Sequence, residues 1–352
     1  MRVMYDKNMN ALLSLARKKG IPLYGMFELT ARCNLHCRFC YVCDRDNKMK
    51  NPPEKTTDEW ISMLRQAVDL GMLKCAFTGG DPFMRDDFEE IYCKAYDMGL
   101  RVSIFTNGIL IGKKQRAYLS KRLPELISIS LYGASEAAYG AVCGGEDNFH
   151  RTIESLDGLL AAGLVFELKA LAMRPLINEY EAMGRITAKY NCPGRFSVYM
   201  SPGRDDPERR FEDWRVAPTQ VVELLRSFKM SLSSMNEAPM QELNVNPEGV
   251  FVCGAGKDSF IITHDGRMLG CPSLNCFNSY PFNDGFAQAW SDLKVLIKNA
   301  EGCKECKDCR ERDRCFICPA DRWCETGSIT NCSPYLKELI SSMATMQQEM
   351  SG

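Results

Sequence analysis

Residues 33–40 read CNLHCRFC, and Tyr41 follows. Cys33, Cys37 and Cys40 are therefore spaced C-x3-C-x2-C. A thiolate is a soft, anionic ligand, so this spacing is first of all that of a metal-binding loop. A tetrahedral site usually takes four ligands, and the loop supplies three. One chemistry that fits is a structural zinc knuckle closed by a distant ligand. The other is a cubane [4Fe–4S] cluster, in which three thiolates hold three irons. The fourth iron then stays open to a small molecule that offers an amine and a carboxylate.

The rest of the composition bears on that choice. The chain has 352 residues and 18 cysteines against 3 histidines. Ordinary zinc catalysis recruits imidazole, so cysteine-only ligation favours iron–sulfur clusters or structural zinc. A secreted disulfide scaffold is the other reading of many cysteines. The N-terminal stretch MRVMYDKNMNALLSLARKKG lacks the apolar core and cleavage site of a signal peptide and reads as an amphipathic helix. A cytoplasmic location is expected. No long uncharged apolar run suggests a membrane span. A formal net charge of −1 gives no basic field for nucleic acid. Ten cysteines fall between Cys253 and Cys332. Cys43, Cys75, Cys93, Cys143 and Cys192 are scattered and read as small buried residues.

The elements that must position the loop alternate along the chain. Strand-like stretches at 23–30, 75–80, 101–108, 126–133, 165–173 and 195–201 are each followed by a helical stretch. Thr56 and Glu59 have capping-box spacing at the start of the first of these helices. Six βα units imply a parallel sheet with helices outside it. They are too few for a closed eight-fold barrel, so an α/β fold with an open, partial (β/α)6 barrel is expected, with a doubly wound sheet as the alternative. In both, the active site lies at the C-terminal strand ends. There the cysteine loop follows the first strand, TGGDP the second, TNG the third and LYGAS the fourth. The pattern breaks near 231–249. The expected organisation is an N-terminal helical segment (1–22), a barrel (23–235) and a small cysteine-rich domain (236–345) ending in a helical tail. The last domain has little apolar core of its own, so metal would hold it together.

The C-x3-C-x2-C loop, with Phe39 before its last cysteine and Tyr41 after it, resembles the radical S-adenosylmethionine superfamily. The resemblance implies that Cys33, Cys37 and Cys40 hold a [4Fe–4S] cluster whose fourth place belongs to S-adenosylmethionine. Thr78, Gly79, Gly80, Asp81 and Pro82 resemble the family's glycine-rich stretch, which holds the cofactor's amino group through backbone carbonyls. The family more often has Glu where this chain has Asp81. Ser130, in SISLYG, resembles the residue that meets the ribose. Val142 stands where an arginine is often found. By the same resemblance Lys169 and Tyr41 are candidate cofactor contacts, a barrel lysine with no such role being the alternative for Lys169. His36 reads as a surface group.

Cys253 and Cys271 flank Gly266 in the pattern C-x12-G-x4-C, and Cys306-x2-Cys309-x5-Cys315-x2-Cys318 follows, then Cys324 and Cys332. This resembles the SPASM extension, which implies two auxiliary [4Fe–4S] clusters and three clusters in all. The family has three residues, not two, before the position of Cys318. Cys253 and Cys271 would begin one auxiliary cluster, and Cys306, Cys309 and Cys315 the other. Cys318 or Cys324 would cross back to the first, and Cys324 or Cys332 would close the second. Cys276 is a candidate fourth ligand of the first, and Cys303 a spare. Structural zinc at the C-x2-C pairs is the alternative.

Together the two resemblances imply an enzyme that cleaves S-adenosylmethionine reductively and takes hydrogen from a peptide, forming a thioether or C–C crosslink in a ribosomally synthesised peptide. A sulfatase-maturing (formylglycine-generating) enzyme, a haem- or quinone-cofactor pathway enzyme and a peptide epimerase with Cys143 as hydrogen donor are alternatives. A cluster-bearing scaffold without catalysis is another. A flavodoxin or ferredoxin would donate electrons. About twenty residues precede the first strand, too few for a leader-binding module, so a separate recognition protein or direct substrate reading is expected. The Arg-rich stretch 203–215 reads as a solvated loop near the mouth, or a grip for an acidic peptide. Arg85-Asp86-Asp87 and Glu311-Arg312-Asp313 read as solvated helix ends.

Overall fold

The computed structural model describes residues 2–42, 53–201, 211–227, 250–251, 253–311, 315 and 317–351. The chain enters through α1 (Arg2–Lys19). Six parallel strands then lie side by side in chain order: β1 (Tyr24–Glu28), β2 (Lys74–Thr78), β3 (Arg101–Thr106), β4 (Leu126–Ser130), β5 (Phe166–Leu171) and β6 (Gly194–Ser197). The helices between them are α2 (Thr57–Asp69), α3 (Phe88–Asp97), α4 (Lys113–Lys121), α5 (Glu136–Cys143), α6 (Asn148–Ala161) and α7 (Tyr180–Lys189), and α8 (Pro218–Ser227) follows β6. This is the partial barrel expected from the alternation. The Thr56–Glu59 capping box forms at the start of α2, so the N-terminal amides of that helix are satisfied where the sequence places them.

Alternation along the strands sorts the side chains. Phe27 meets Trp60 of α2 edge-on at 6.2 Å, and Phe77 meets Phe88 of α3 at 5.7 Å. These odd positions form the apolar seam between sheet and helices. Their neighbours Glu28 and Thr78, paired in register, point the opposite way, into the barrel. The same face carries Ser128 paired with Glu167, Ser130 with Lys169, and Lys169 with Arg195. The helix face is therefore oily and the inner face polar.

The C-terminal third does not begin as an irregular segment. β7 (Ser259–Ile262) pairs parallel with β1, placing Ser259 beside Tyr24. β8 (Met268–Cys271) and β9 (Leu274–Ser279) add antiparallel, giving the order β6-β5-β4-β3-β2-β1-β7-β8-β9. After α9 (Pro281–Asp284), α10 (Phe286–Lys298) covers the extension, with Phe286 and Trp290 against Phe260. Arg17 reaches Asp258 at 2.6 Å and Trp290 donates to the Gly20 carbonyl at 2.8 Å, so α1 is tied to the same edge. α11 (Pro319–Thr326) and α12 (Pro334–Ser351) complete the fold, the latter being the expected helical tail. The domain boundary expected in 231–249 lies outside the described residues, as do Cys43, 202–210, Arg312 and Asp313.

Two charged stretches differ from expectation. Arg85 is not a solvated helix end: it is buried, donates to the Leu29 carbonyl at 3.1 Å, and forks onto Asp87. Arg215, at the end of the Arg-rich stretch, is buried too. Its guanidinium grips Glu325 of α11 at 2.5 and 3.1 Å and the Met200 carbonyl at 2.8 and 3.1 Å. Tyr199 donates to the same carboxylate at 2.8 Å, and the Tyr335 ring lies 4.6 Å from the guanidinium. A charge count along the sequence cannot tell such a pair from a solvated run, because its partner is 110 residues away. This network joins barrel to C-terminal region.

Candidate functional site

The cysteine loop leaves β1 and is bonded to three neighbouring elements. The amides of Gly80 and Asp81 donate to the Thr30 and Arg32 carbonyls at 2.8 and 2.9 Å, zipping the loop entry to the end of β2. A Cβ on Gly80 would collide with the Arg32 and Ala31 carbonyl oxygens, and one on Gly79 with that of Thr30. Gly79 also holds φ at +130°. The glycines are thus required for backbone to meet backbone. On the far side, the amides of His36 and Arg38 donate to the carbonyls of Cys143 and Val142 at 2.9 and 3.1 Å. Helix α5 was not foreseen, its glycine-flanked sequence showing little periodicity. Val142 presents its carbonyl to the loop from the position where an arginine was looked for.

The thiols have built surroundings. Cys33 Sγ accepts from the Leu35 amide at 3.4 Å and from Asn107 Nδ2 at 3.6 Å. Asn107 also donates to Asn34 at 2.8 Å. Cys37 and Cys40 both act electrostatically on Tyr132, whose phenol is pushed well up by burial first and by these thiols second. Phe39 packs on the Tyr132 ring at 5.6 Å. Cys33 therefore faces the loop after β3, and Cys37 and Cys40 face the loop after β4. His36 is exposed, as expected, and Tyr41 is 39% exposed at the loop's rim.

Asp81 has a different job from its neighbours. It is fully buried and both its oxygens are engaged: one accepts from Phe83 N at 3.0 Å, the other from Thr106 Oγ1 at 2.6 Å and Asn107 N at 2.9 Å. Burial pushes its carboxyl up to about 6 against these three donors. Asp81 thereby fixes Asn107, which in turn meets Cys33. Asn107 was missed as a site residue, although its TNG loop was singled out; the signal was a polar residue directly after a strand that ends at the barrel mouth.

The inner face of the sheet carries Ser130 and Lys169 side by side. The Ser130 hydroxyl lowers the Tyr132 phenol's pKa against the effect of burial, so it belongs to the loop's surroundings. Lys169 lies 3.9 Å over the Phe105 ring and 3.8 Å from Glu167, which takes Ser128 Oγ at 2.8 Å and Arg195 Nε at 2.6 Å. Burial chiefly lowers the Lys169 ammonium pKa, with Arg195 adding to the effect and Glu167 opposing it.

Residues 27–173 match the model of the radical SAM superfamily. Over 339 residues the chain is 32% identical to a PqqA peptide cyclase of Bradyrhizobium diazoefficiens, covering 91% of this chain and 87% of that protein. The chain belongs to the radical S-adenosylmethionine superfamily. It is also 26% identical over 314 residues to the mycofactocin maturase MftC of Mycolicibacterium smegmatis, covering 84% and 77% of the two chains. The fold is that of Streptococcus suis SuiB. With that protein bound to S-adenosylmethionine the TM-score is 0.70 at 18% identity, covering 94% and 82%; with it bound to precursor peptide SuiA the score is 0.68, covering 94% and 80%.

Membership makes the chain a radical S-adenosylmethionine enzyme and implies a [4Fe–4S] cluster and that cofactor. The loop fits such a cluster in its chemistry: three thiols stand on one short loop, one already takes two N–H donors, and the glycine cradle leaves the loop close-packed. Among the described residues no three His, Cys, Asp or Glu side chains are gathered closely enough to hold a single metal ion. A cubane spreads its thiolates over a larger cage than one ion does, so shared neighbourhood is the relevant test.

By that test the C-terminal cysteines of this radical S-adenosylmethionine enzyme fall into two groups. Cys271 lies within electrostatic reach of Cys253 and Cys324, Cys318 of Cys271, and Cys276 of Cys324. Cys306 lies within electrostatic reach of Cys303 and Cys315, Cys315 of Cys309, and Cys332 of Cys315 and Cys303. Each group has five thiols, one more than a cubane takes. Cys318 and Cys324 both stand with Cys271, Cys332 stands with Cys315, and Cys303 is inside the second group rather than apart from it. Burial raises Cys271, Cys276 and Cys306 to about 11 each and also raises Cys315, Cys318, Cys324 and Cys332, so binding a cluster to these must displace protons. Cys75 and Cys143 are fully buried; Cys93 and Cys192 are partly so. Among the described residues no helix is long and apolar enough to cross a membrane.

Proposed function

We propose that this enzyme modifies a ribosomally synthesised peptide, closing a thioether or C–C crosslink. The observation that carries the reading is the 32% identity, over 91% of the chain, to a protein named as a peptide cyclase. A neighbour of the same fold bound to its precursor peptide supports it. In this reading Cys33, Cys37 and Cys40 hold the first cluster. Thr78, Gly79, Gly80, Ser130, Lys169 and Tyr41 line the S-adenosylmethionine pocket, and Asp81 acts at one remove through Asn107. When bound, cluster and cofactor supply one-electron cleavage and removal of hydrogen from an unactivated carbon. The chain's own part is aim. Asn107 and the Leu35 amide orient Cys33, Ser130 offers a hydroxyl to a sugar, and Lys169 offers a cation to a carboxylate. Cys253, Cys271, Cys276, Cys318 and Cys324 supply the ligands of one auxiliary cluster, and Cys306, Cys309, Cys315 and Cys332, with Cys303 in reserve, those of the other. The enzyme works in the cytoplasm with a flavodoxin or ferredoxin as electron donor and a separate protein that presents the leader peptide.

The test is anaerobic reconstitution followed by incubation with S-adenosylmethionine, dithionite and short peptides encoded beside the gene. Peptide-dependent formation of 5′-deoxyadenosine, with a product lighter by two hydrogens, is expected. Cofactor cleavage that alters none of these peptides but consumes a free small molecule overturns the reading.

A further inference from the structure

We infer that Arg322 holds up the reduction potential of the cluster carried by Cys306, Cys309, Cys315 and Cys332. The inference rests on the proposal that this group carries a cluster. Arg322 lies on α11 and is 7% exposed. Its Nη2 is 3.0 Å from Cys306 Sγ. Its Nε has no hydrogen-bond partner. Among the described residues no carboxylate stands within ion-pair distance of it. A guanidinium cannot shed its proton, and a buried cation needs an anion close by. The group it faces is sulfur. Its charge faces Cys306 directly and also acts on Cys315 and Cys332. A cubane with thiolate ligands is anionic and supplies the missing countercharge. Cluster potentials depend on net charge, hydrogen bonds to sulfur and exposure, and Arg322 changes the first two in the same direction. Both favour the reduced, more negative state.

The other group is served differently by the same helix. Cys318 caps α11, its Sγ accepting from the Asp321 amide at 3.4 Å. Asp321 acts on Cys271, Cys318 and Cys324, and on Cys315 of the other group as well, whereas the Arg322 guanidinium acts only on thiols of the second group. Arg322 is thus a positioning and tuning residue, not a catalytic one.

The experiment is an EPR-monitored redox titration of the reconstituted full chain. It compares wild type, R322Q and R322K, with a Cys306/Cys309/Cys315→Ala variant to identify the signal. R322Q is expected to make that one cluster harder to reduce by at least tenfold, which is about 59 mV for a one-electron couple. R322K should stay within threefold of wild type, and the other two signals should not move. An unmoved potential in R322Q, equal falls in R322Q and R322K, or loss of that cluster from R322Q would each overturn the inference. If wild type itself holds only about eight irons or fewer, with no signal removed by the cysteine variant, the cluster proposal fails first and the inference with it.

Discussion

Cys33, Cys37 and Cys40 sit on a loop whose backbone is bonded to β1, to the end of β2 and to α5, whereas the second C-terminal thiol group sits on short turns, with Cys309 exposed. The first region is preorganised by packing. The second has a 3-10 turn (Lys304–Lys307), an eight-residue helix and a small apolar cluster of Ile317, Leu336 and Ile340. Metal is asked to complete a site in one case and to complete a fold in the other. Chelated, metal-free protein should therefore keep slow hydrogen exchange at 33–42 and lose it at 303–332. Equal exchange in both would erase the distinction.

The largest effect that sharpens the contrast is chemical. A Cys33/Cys37/Cys40→Ala variant should lose about four of twelve irons and all S-adenosylmethionine cleavage, while remaining folded by circular dichroism. The Cys306/Cys309/Cys315→Ala variant should also lose about four irons, yet keep cofactor cleavage and melt at lower temperature. Next is the join between the regions. Glu325→Ala leaves Arg215 buried without its partner, and should cost about 3–5 kcal/mol in denaturant unfolding. Gly80→Ala, which forces a methyl into the backbone of the cysteine loop, should cost roughly 3 kcal/mol and lower occupancy of the first cluster alone.

Smaller effects probe the wiring of the loop. Burial raises the Asp81 carboxyl from 3.8 to about 6, so the native state binds this proton more tightly than the unfolded chain does. Its contribution to stability is complete below about pH 4 and is lost as pH rises through about 6, a swing of up to about 3 kcal/mol. Asp81→Asn should flatten that slope relative to wild type, and parallel pH profiles for the two proteins would refute the assignment. Asn107→Ala removes the N–H···S contact together with the bonds to Asn34 and from the Ile109 amide, and should cost roughly 1–3 kcal/mol, read as slower cofactor cleavage at unchanged iron content.

Much of this was legible without coordinates where the physics is local. The six βα units, the α2 capping box and the cysteine loop each declare themselves within a few residues of sequence. What escaped is contact between distant segments. β7 carries only four strand residues, and the strand that makes it part of the barrel sheet lies near the other end of the chain. Arg215 reads as one charge among many until Glu325 is brought to it. The spacing already separates Cys253 and Cys271 from Cys306, Cys309 and Cys315; where Cys318 and Cys324 stand depends on the path of α11, which spacing does not encode. The side chain of Asp81 is engaged with Phe83, Thr106 and Asn107, partners that its place in the glycine-rich stretch does not announce.

The pairing of β7 with β1 also sets a timetable. Arg17 and Asp258, which lock this edge, are 241 residues apart. A ribosome adding about 5–20 residues per second needs roughly ten to fifty seconds to bridge that interval. Throughout it the outer edge of β1 is unpaired, a template for any other strand, while the cysteine loop beside it has already emerged. Strand closure over such a separation is slow in itself. Newly made chains thus pass through a long interval in which the first cluster loop is accessible and its sheet is open, and crowding or oxygen in that window should limit the yield of active enzyme more than any property of the finished fold.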